Sequence, residues 1–88
     1  MDWDLMSYVM SGKLRFRILT ELRKENKIPT ELAKTINSPI SHISTTLKEL
    51  EEKGLIECLT SERRKNKFFR ITEKGESVLG DIGREINK

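Results

Sequence analysis

Apolar residues recur along this chain at helical spacing, except in one short stretch where they crowd together. Trp3, Met6 and Met10, separated by three and four, predict a first short helix capped by Asp2 and interrupted at Gly12. From Lys13 to Lys24, Phe16, Ile18, Leu19 and Leu22 form an apolar stripe with bases around it, an amphipathic helix ending near Asn26. Ile28 followed by Pro29-Thr30-Glu31 reads as a helix entry, with proline at the first helical position and Glu31 near the positive end of the dipole. Leu32, Ala33 and Ile36 supply its buried side, and Asn37-Ser38-Pro39 stops it. Ile43, Leu47 and Leu50 then repeat at four and three over a helix running from Pro39 or Ile40 to Lys53, which Gly54 ends.

Beyond Gly54 the pattern changes. Leu55 to Thr60 and Lys67 to Thr72 are rich in Leu, Ile and Phe and enclose the polar, basic Ser61-Glu62-Arg63-Arg64-Lys65-Asn66, which predicts a β-hairpin with a long charged tip. Thr72 caps a last helix, with Glu73 in its first turn and Val78, Leu79, Ile82 and Ile86 along one side, while Gly80 and Gly83 weaken its later turns. Two short helices joined by a tight turn, the second followed at once by a basic hairpin, make a winged helix-turn-helix outline. The expected fold is therefore mainly α with a small β-hairpin (α+β), in one domain over residues 1–88, because a chain of this size cannot supply two cores.

Composition narrows the function. Charged residues make up 35% of the chain, against roughly 25% in an average globular protein. The longest apolar run is Tyr8-Val9-Met10, too short for a membrane span, and Asp2 and Asp4 stand where a secretory signal would carry bases, so a cytoplasmic protein without membrane contact is expected. A lone Cys58 gives neither an internal disulfide nor a paired metal motif, and in a strand it reads as a small core residue. One histidine, one cysteine and no glycine-rich phosphate loop leave no nucleophile and base set, so no enzyme, cofactor or metal is expected.

The net charge of +3 hides an uneven distribution. Lys13, Arg15, Arg17, Arg23, Lys24 and Lys27 are opposed only by Glu21 and Glu25, and Arg63, Arg64, Lys65, Lys67 and Arg70 only by Glu62. The rest of the chain is acidic on balance. Two basic islands on such a chain suggest an oriented surface that meets a polyanion, because counterion release rewards clustered charge.

Lys13-Leu14-Arg15-Phe16-Arg17-Ile18-Leu19, Pro29-Thr30-Glu31-Leu32-Ala33, Ile43-Ser44, Leu47-Lys48-Glu49-Leu50-Glu51-Glu52-Lys53-Gly54-Leu55-Ile56 and Ile71-Thr72-Glu73-Lys74-Gly75 follow one another in order. This series resembles the winged-helix transcriptional regulators of the ArsR and MarR type, closest in flavour to small archaeal members, over nearly the whole chain after Ser11. The resemblance implies a homodimer that binds double-stranded DNA and regulates transcription, with the helix from about Pro39 to Lys53 in the major groove and the hairpin along the backbone. The chain departs from the metal-sensing branch, since it has only Cys58 and His42 where that branch carries cysteine clusters or His and acidic ligands.

If Ile43, Leu47 and Leu50 face the core, the helical step puts Ser41, Thr45, Lys48 and Glu52 opposite, with His42, Ser44 and Glu49 at the borders. Ser41, His42, Ser44, Thr45 and Lys48 are the candidates for base edges and the nearby backbone. None of them is an Arg, Asn or Gln, so discrimination is expected from hydroxyls, a Thr methyl against a thymine methyl, His42 and bridging waters. Affinity is assigned to Arg63, Arg64, Lys65 and Lys67 at the hairpin, on phosphates or in a narrow minor groove, and to Thr30 at a helix start. Arg15 and Arg17 come second, one of them being open to pairing with an acid inside the domain. Dimerisation is assigned to the helices at about 2–10 and 73–87, through Trp3, Met6, Met10, Leu79, Ile82 and Ile86. The rival function is a winged helix that docks proteins within a transcription or replication assembly; the Arg-Arg-Lys-Asn-Lys tip favours DNA.

Overall fold

Several helix ends in this chain are set by the side chain or the backbone conformation of a single residue. The computed structural model describes residues 2–60 and 67–86, with Ile86 placed only as the last residue of its helix. Its elements run α1 (Trp3–Met10), α2 (Lys13–Lys24), α3 (Pro29–Ile36), α4 (Ile40–Glu52), β1 (Ile56–Cys58), β2 (Phe69–Ile71) and α5 (Glu73–Ile86). The Asp2 carboxylate accepts the Leu5 N–H at 3.1 Å and opens α1. In α3, which Pro29 starts, Glu31 reaches back to accept the N–H of Ile28 at 3.1 Å, half of a capping box. Asn37 closes that helix with φ of 60°, a left-handed conformation asparagine tolerates, and its N–H and that of Ser38 both turn to the carbonyl of Ala33.

The end of α4 is a Schellman motif: with Gly54 at φ 76°, the N–H of Leu55 reaches the carbonyl of Leu50 and that of Gly54 reaches Glu51, both at 3.0 Å. The chain then enters β1, which pairs antiparallel with β2 in the register Ile56↔Ile71, Glu57↔Arg70 and Cys58↔Phe69. These strands are three residues each, shorter than the apolar runs that announced them. Lys27, between α2 and α3, adds an isolated bridge to the hairpin: its backbone exchanges hydrogen bonds with Phe69 at 3.3 and 2.9 Å.

A single cluster of side chains forms the core, drawn from all five helices and from both strands. Leu22, Leu32, Ile43, Leu47 and Leu50 are buried where α2, α3 and α4 meet. Removing such side chains from water contributes about 1.5–3 kcal/mol each. In α1 the buried side is Leu5, Met6 and Val9 instead of the Trp3, Met6 and Met10 stripe, so Trp3 and Met10 stand 59% and 53% exposed. At α5, Val78, Leu79 and Ile82 pack inward and the helix continues through Gly80 and Gly83. Met6, Leu79 and Ile82, expected at a dimer interface, are thus spent on the core of the chain itself. The reason is that α1 and α5 lie against each other and against α2, where their best apolar faces meet within one subunit.

Candidate nucleic-acid interface

The buried face of α4 decides what its other face offers. Ile43, Thr46, Leu47 and Leu50 point inward, which leaves Ser41, Thr45 and Lys48 on the crest, exposed together with Glu52. His42 and Ser44 are also exposed, on opposite shoulders, and Glu49 is half-buried. The Thr45 hydroxyl donates to the carbonyl of Ser41 at 3.0 Å, so its oxygen remains free to accept and its methyl free for apolar contact.

A groove of about 330 Å3 runs along the Ser44 shoulder, between α4, the start of α3 and the base of the hairpin. It brings together Thr30, Ser44, Lys48 and Lys67, four of the residues singled out from the sequence, over a floor that includes Leu47 and Phe69. Sequence reasoning missed two others there. Ile40 is 49% exposed, and Glu51 puts an acid at the same groove. Ile40 lies beside the apolar stripe on a helical projection and reads as core; only its position on the first turn of α4, beside the start of α3, exposes it. Glu51 stands in the run Glu49-Leu50-Glu51-Glu52, where no local signal distinguishes it.

The hairpin base is held in place from two sides. Besides the Lys27–Phe69 bridge, the N–H of Phe68 donates to the Thr60 hydroxyl at 2.9 Å, and that of Leu59 to the carbonyl of Phe68 at 2.8 Å. The ammonium of Lys27, largely buried, donates to Glu25 at 2.9 Å. That bond holds the Glu25 carboxyl below the ordinary glutamate range and, in return, holds Lys27 above the ordinary lysine value. Across the strands Arg70 is ion-paired with Glu57, so of the basic residues after Thr60 it is spoken for, whereas Lys67 has no ion-pair partner among the described residues. Arg63, Arg64 and Lys65 lie outside the described residues, as does the side chain of Ile86.

Arg15 turns inward, but not to an acid. Its guanidinium sits 4.0 Å from the centre of the Tyr8 ring, and Nη1 donates to the Tyr8 carbonyl at 2.7 Å and to the Ser11 hydroxyl at 3.2 Å. Arg17 stays exposed. Cys58, in β1, is a free thiol, half-buried and packed against the core.

A helix-turn-helix whose second helix presents a polar crest beside a basic hairpin defines the winged-helix class of DNA-binding proteins. Residues 14–75 match the family described as winged helix DNA-binding domain, and the chain belongs to that family. It is similar to the HTH-type transcriptional regulator BilQ of Clostridioides difficile, 28% identical over 85 residues, which is 96% of this chain and 57% of BilQ. Among solved structures, BldR from Sulfolobus solfataricus superposes with a TM-score of 0.78 at 27% identity, over 93% of this chain and 60% of BldR. A MarR-family regulator from Enterococcus faecalis gives a TM-score of 0.83 at 17% identity, over 96% of this chain and 78% of its own, a likeness of fold. The chain thus spans 57% of the length of BilQ and 60% of that of BldR.

Proposed function

We propose that the protein is a homodimeric transcriptional regulator that binds double-stranded DNA in a sequence-dependent way. In this reading α4 enters the major groove, where Ser41, Thr45 and Lys48 meet base edges or the nearby backbone, while Ser44 and His42 flank them. Lys67, with Arg63, Arg64 and Lys65, contacts phosphates or a minor groove, and the exposed Thr30 offers its hydroxyl to a phosphate. The observation that carries the reading is the groove in which Thr30 of α3, Ser44 and Lys48 of α4 and Lys67 at the base of the hairpin converge. Such convergence suits a ligand that spans helix and hairpin, as a DNA backbone does. The likeness to BilQ, named as a transcriptional regulator, supports it as well.

The test is fluorescence anisotropy with a random-sequence duplex over a salt series, beside a variant carrying Gln at positions 63, 64, 65 and 67. Wild-type binding should fall steeply with salt, and the variant's slope should flatten by about 0.9 for each phosphate that the protein no longer neutralises. Absence of binding at low salt overturns the DNA reading in favour of a protein-docking module. An unchanged slope shows that the hairpin does not supply the affinity.

A further inference from the structure

The groove beside the hairpin occupies one shoulder of α4, and the opposite shoulder has a pocket of its own. About 380 Å3 in volume, it lies between α2 and the helix-turn-helix corner, and Lys13, Arg17, Asn37, Ser38 and His42 line it. We propose that this pocket is a second phosphate-binding wall, in which Lys13 and Arg17 hold the DNA backbone that borders α4 on the side away from the hairpin. The inference rests on the DNA-binding reading above and extends it to a surface that reading does not use.

Three observations carry it. First, Lys13 and Arg17 are one helical turn apart, both exposed, and both line the same pocket as His42 of α4. Their neighbours on α2 are otherwise engaged: Arg15 lies over Tyr8, and Glu21 pairs with Lys24 at 3.1 Å. Among the described residues neither Lys13 nor Arg17 has an ion-pair partner. Second, the two cations stand in the first turns of α2, which has no acidic residue in its first turn and no side-chain cap. Positive charge at the positive end of a helix dipole is unfavourable. Lys13, at the first position of α2 with no acid in that turn to offset it, fits an anionic partner supplied from outside. Third, the position suits duplex geometry. A helix seated in a major groove about 12 Å wide has a phosphate backbone on each side. Thr30 and Lys67 serve one side, and the pocket at Lys13, Arg17 and His42 faces the other. Asn37 and Ser38 add polar groups at its edge, and the His42 imidazole adds a ring nitrogen within reach of the same phosphates.

The experiment compares wild type, Lys13→Gln/Arg17→Gln, the charge-preserving Lys13→Arg/Arg17→Lys, and Lys74→Gln as an exposed control on α5. Anisotropy with a random-sequence duplex over a salt series is the readout, and thermal unfolding confirms that each variant is folded. Removing both charges should flatten the slope of log affinity against log salt by about 1.8 and weaken binding on the order of tenfold per charge at 0.1 M salt. The charge-preserving variant and Lys74→Gln should keep the wild-type slope. If wild type binds and the double Gln variant keeps its slope, this proposal falls while the DNA reading stands. If wild type does not bind at low salt, both fall together. An equal weakening in the charge-preserving variant shows that shape rather than charge matters there, and likewise overturns it.

Discussion

Arg15 and Arg17 stand two positions apart on one helix and do different work, because Tyr8 takes the first of them. The Tyr8 ring receives the Arg15 guanidinium on its face, and the Lys53 ammonium lies 5.2 Å from its centre. The hydroxyl at its edge is buried and has no hydrogen-bond partner among the described residues. Burial raises the ionisation point of that hydroxyl above its ordinary value of 10.0; the Arg15 charge opposes the rise, and Glu49 and Glu52 add to it. A folded-state pKa above the unfolded one means that the fold prefers the protonated phenol. The corresponding stability is present below the ordinary value and is lost as pH climbs through the folded one. Tyr8→Phe removes both the orphaned hydroxyl and this pH dependence. At pH 7 the variant should be as stable as wild type or more stable by up to about 1 kcal/mol, and its advantage should widen by about pH 10.5. Urea unfolding at the two pH values measures both; a variant clearly less stable at pH 7 shows that the hydroxyl makes a bond. Which arginine turns inward was not legible in Lys13-Leu14-Arg15-Phe16-Arg17. The answer depends on where the end of α1 brings the Tyr8 carbonyl, a tertiary fact. The core face of α1 was hidden for the same reason, since Leu5, Met6 and Val9 compete with Trp3, Met6 and Met10 on spacing alone.

Helix ends, by contrast, are set by single residues and can be read from them. Asp2, Asn37, Gly54 and Thr72 each act as their side chain or φ preference predicts. Thr72 does so twice: its hydroxyl accepts the N–H of Gly75 at 3.1 Å and donates to the carbonyl of Gly54 at 2.7 Å, which ties the start of α5 to the end of α4. The strand partner at Lys27 escapes sequence reading because its pairing uses backbone alone, and a lysine carries no strand signature. The crest of α4 followed from apolar spacing, but the groove beside it did not, since Thr30 and Lys67 come from other elements. Glycines in α5 offer a contrast within one helix. A Cβ at Gly75 would overlap the carbonyl oxygen of Leu55 and lie 2.6 Å from Cγ1 of Ile71, whereas at Gly80 and Gly83 it would meet nothing within 4 Å. Gly75→Ala should therefore push α5 away from the entry to β1 and cost about 1–3 kcal/mol. Gly80→Ala and Gly83→Ala should each raise stability by about 0.5–1 kcal/mol, because alanine restricts the unfolded chain and suits a helix interior. Thermal unfolding of the three variants checks the order, and a neutral Gly75→Ala would deny the tight approach.

At the scale of the whole molecule, the proposed dimer must be built from what the core has left over. Trp3 and Met10 remain exposed on α1, and Met10 and Phe16 line an apolar pocket of about 310 Å3 with Ile82. Lys13 and Arg17 border this pocket as well as the one beside His42, so the apolar seam and the phosphate-facing wall adjoin. Long cationic side chains suit such a boundary, with stems against apolar surface and charges toward solvent or an anion. A small domain gains stability by covering an apolar patch of this kind with a second copy of itself. If the dimer forms there, sedimentation equilibrium at micromolar concentration should give twice the chain mass, and Trp3→Ser/Met10→Glu should give the mass of one chain while staying folded. Two α4 helices in such a dimer meet DNA about 34–36 Å apart, one helical turn, so an inverted repeat should bind two chains together. The double variant should bind that repeat more weakly than wild type yet bind a half-site nearly as well, because each half-site surface is intact and only the linkage between halves is broken. A wild type that sediments as a monomer at every concentration tested removes the dimer and, with it, the expectation of an inverted repeat, leaving single half-sites as the target.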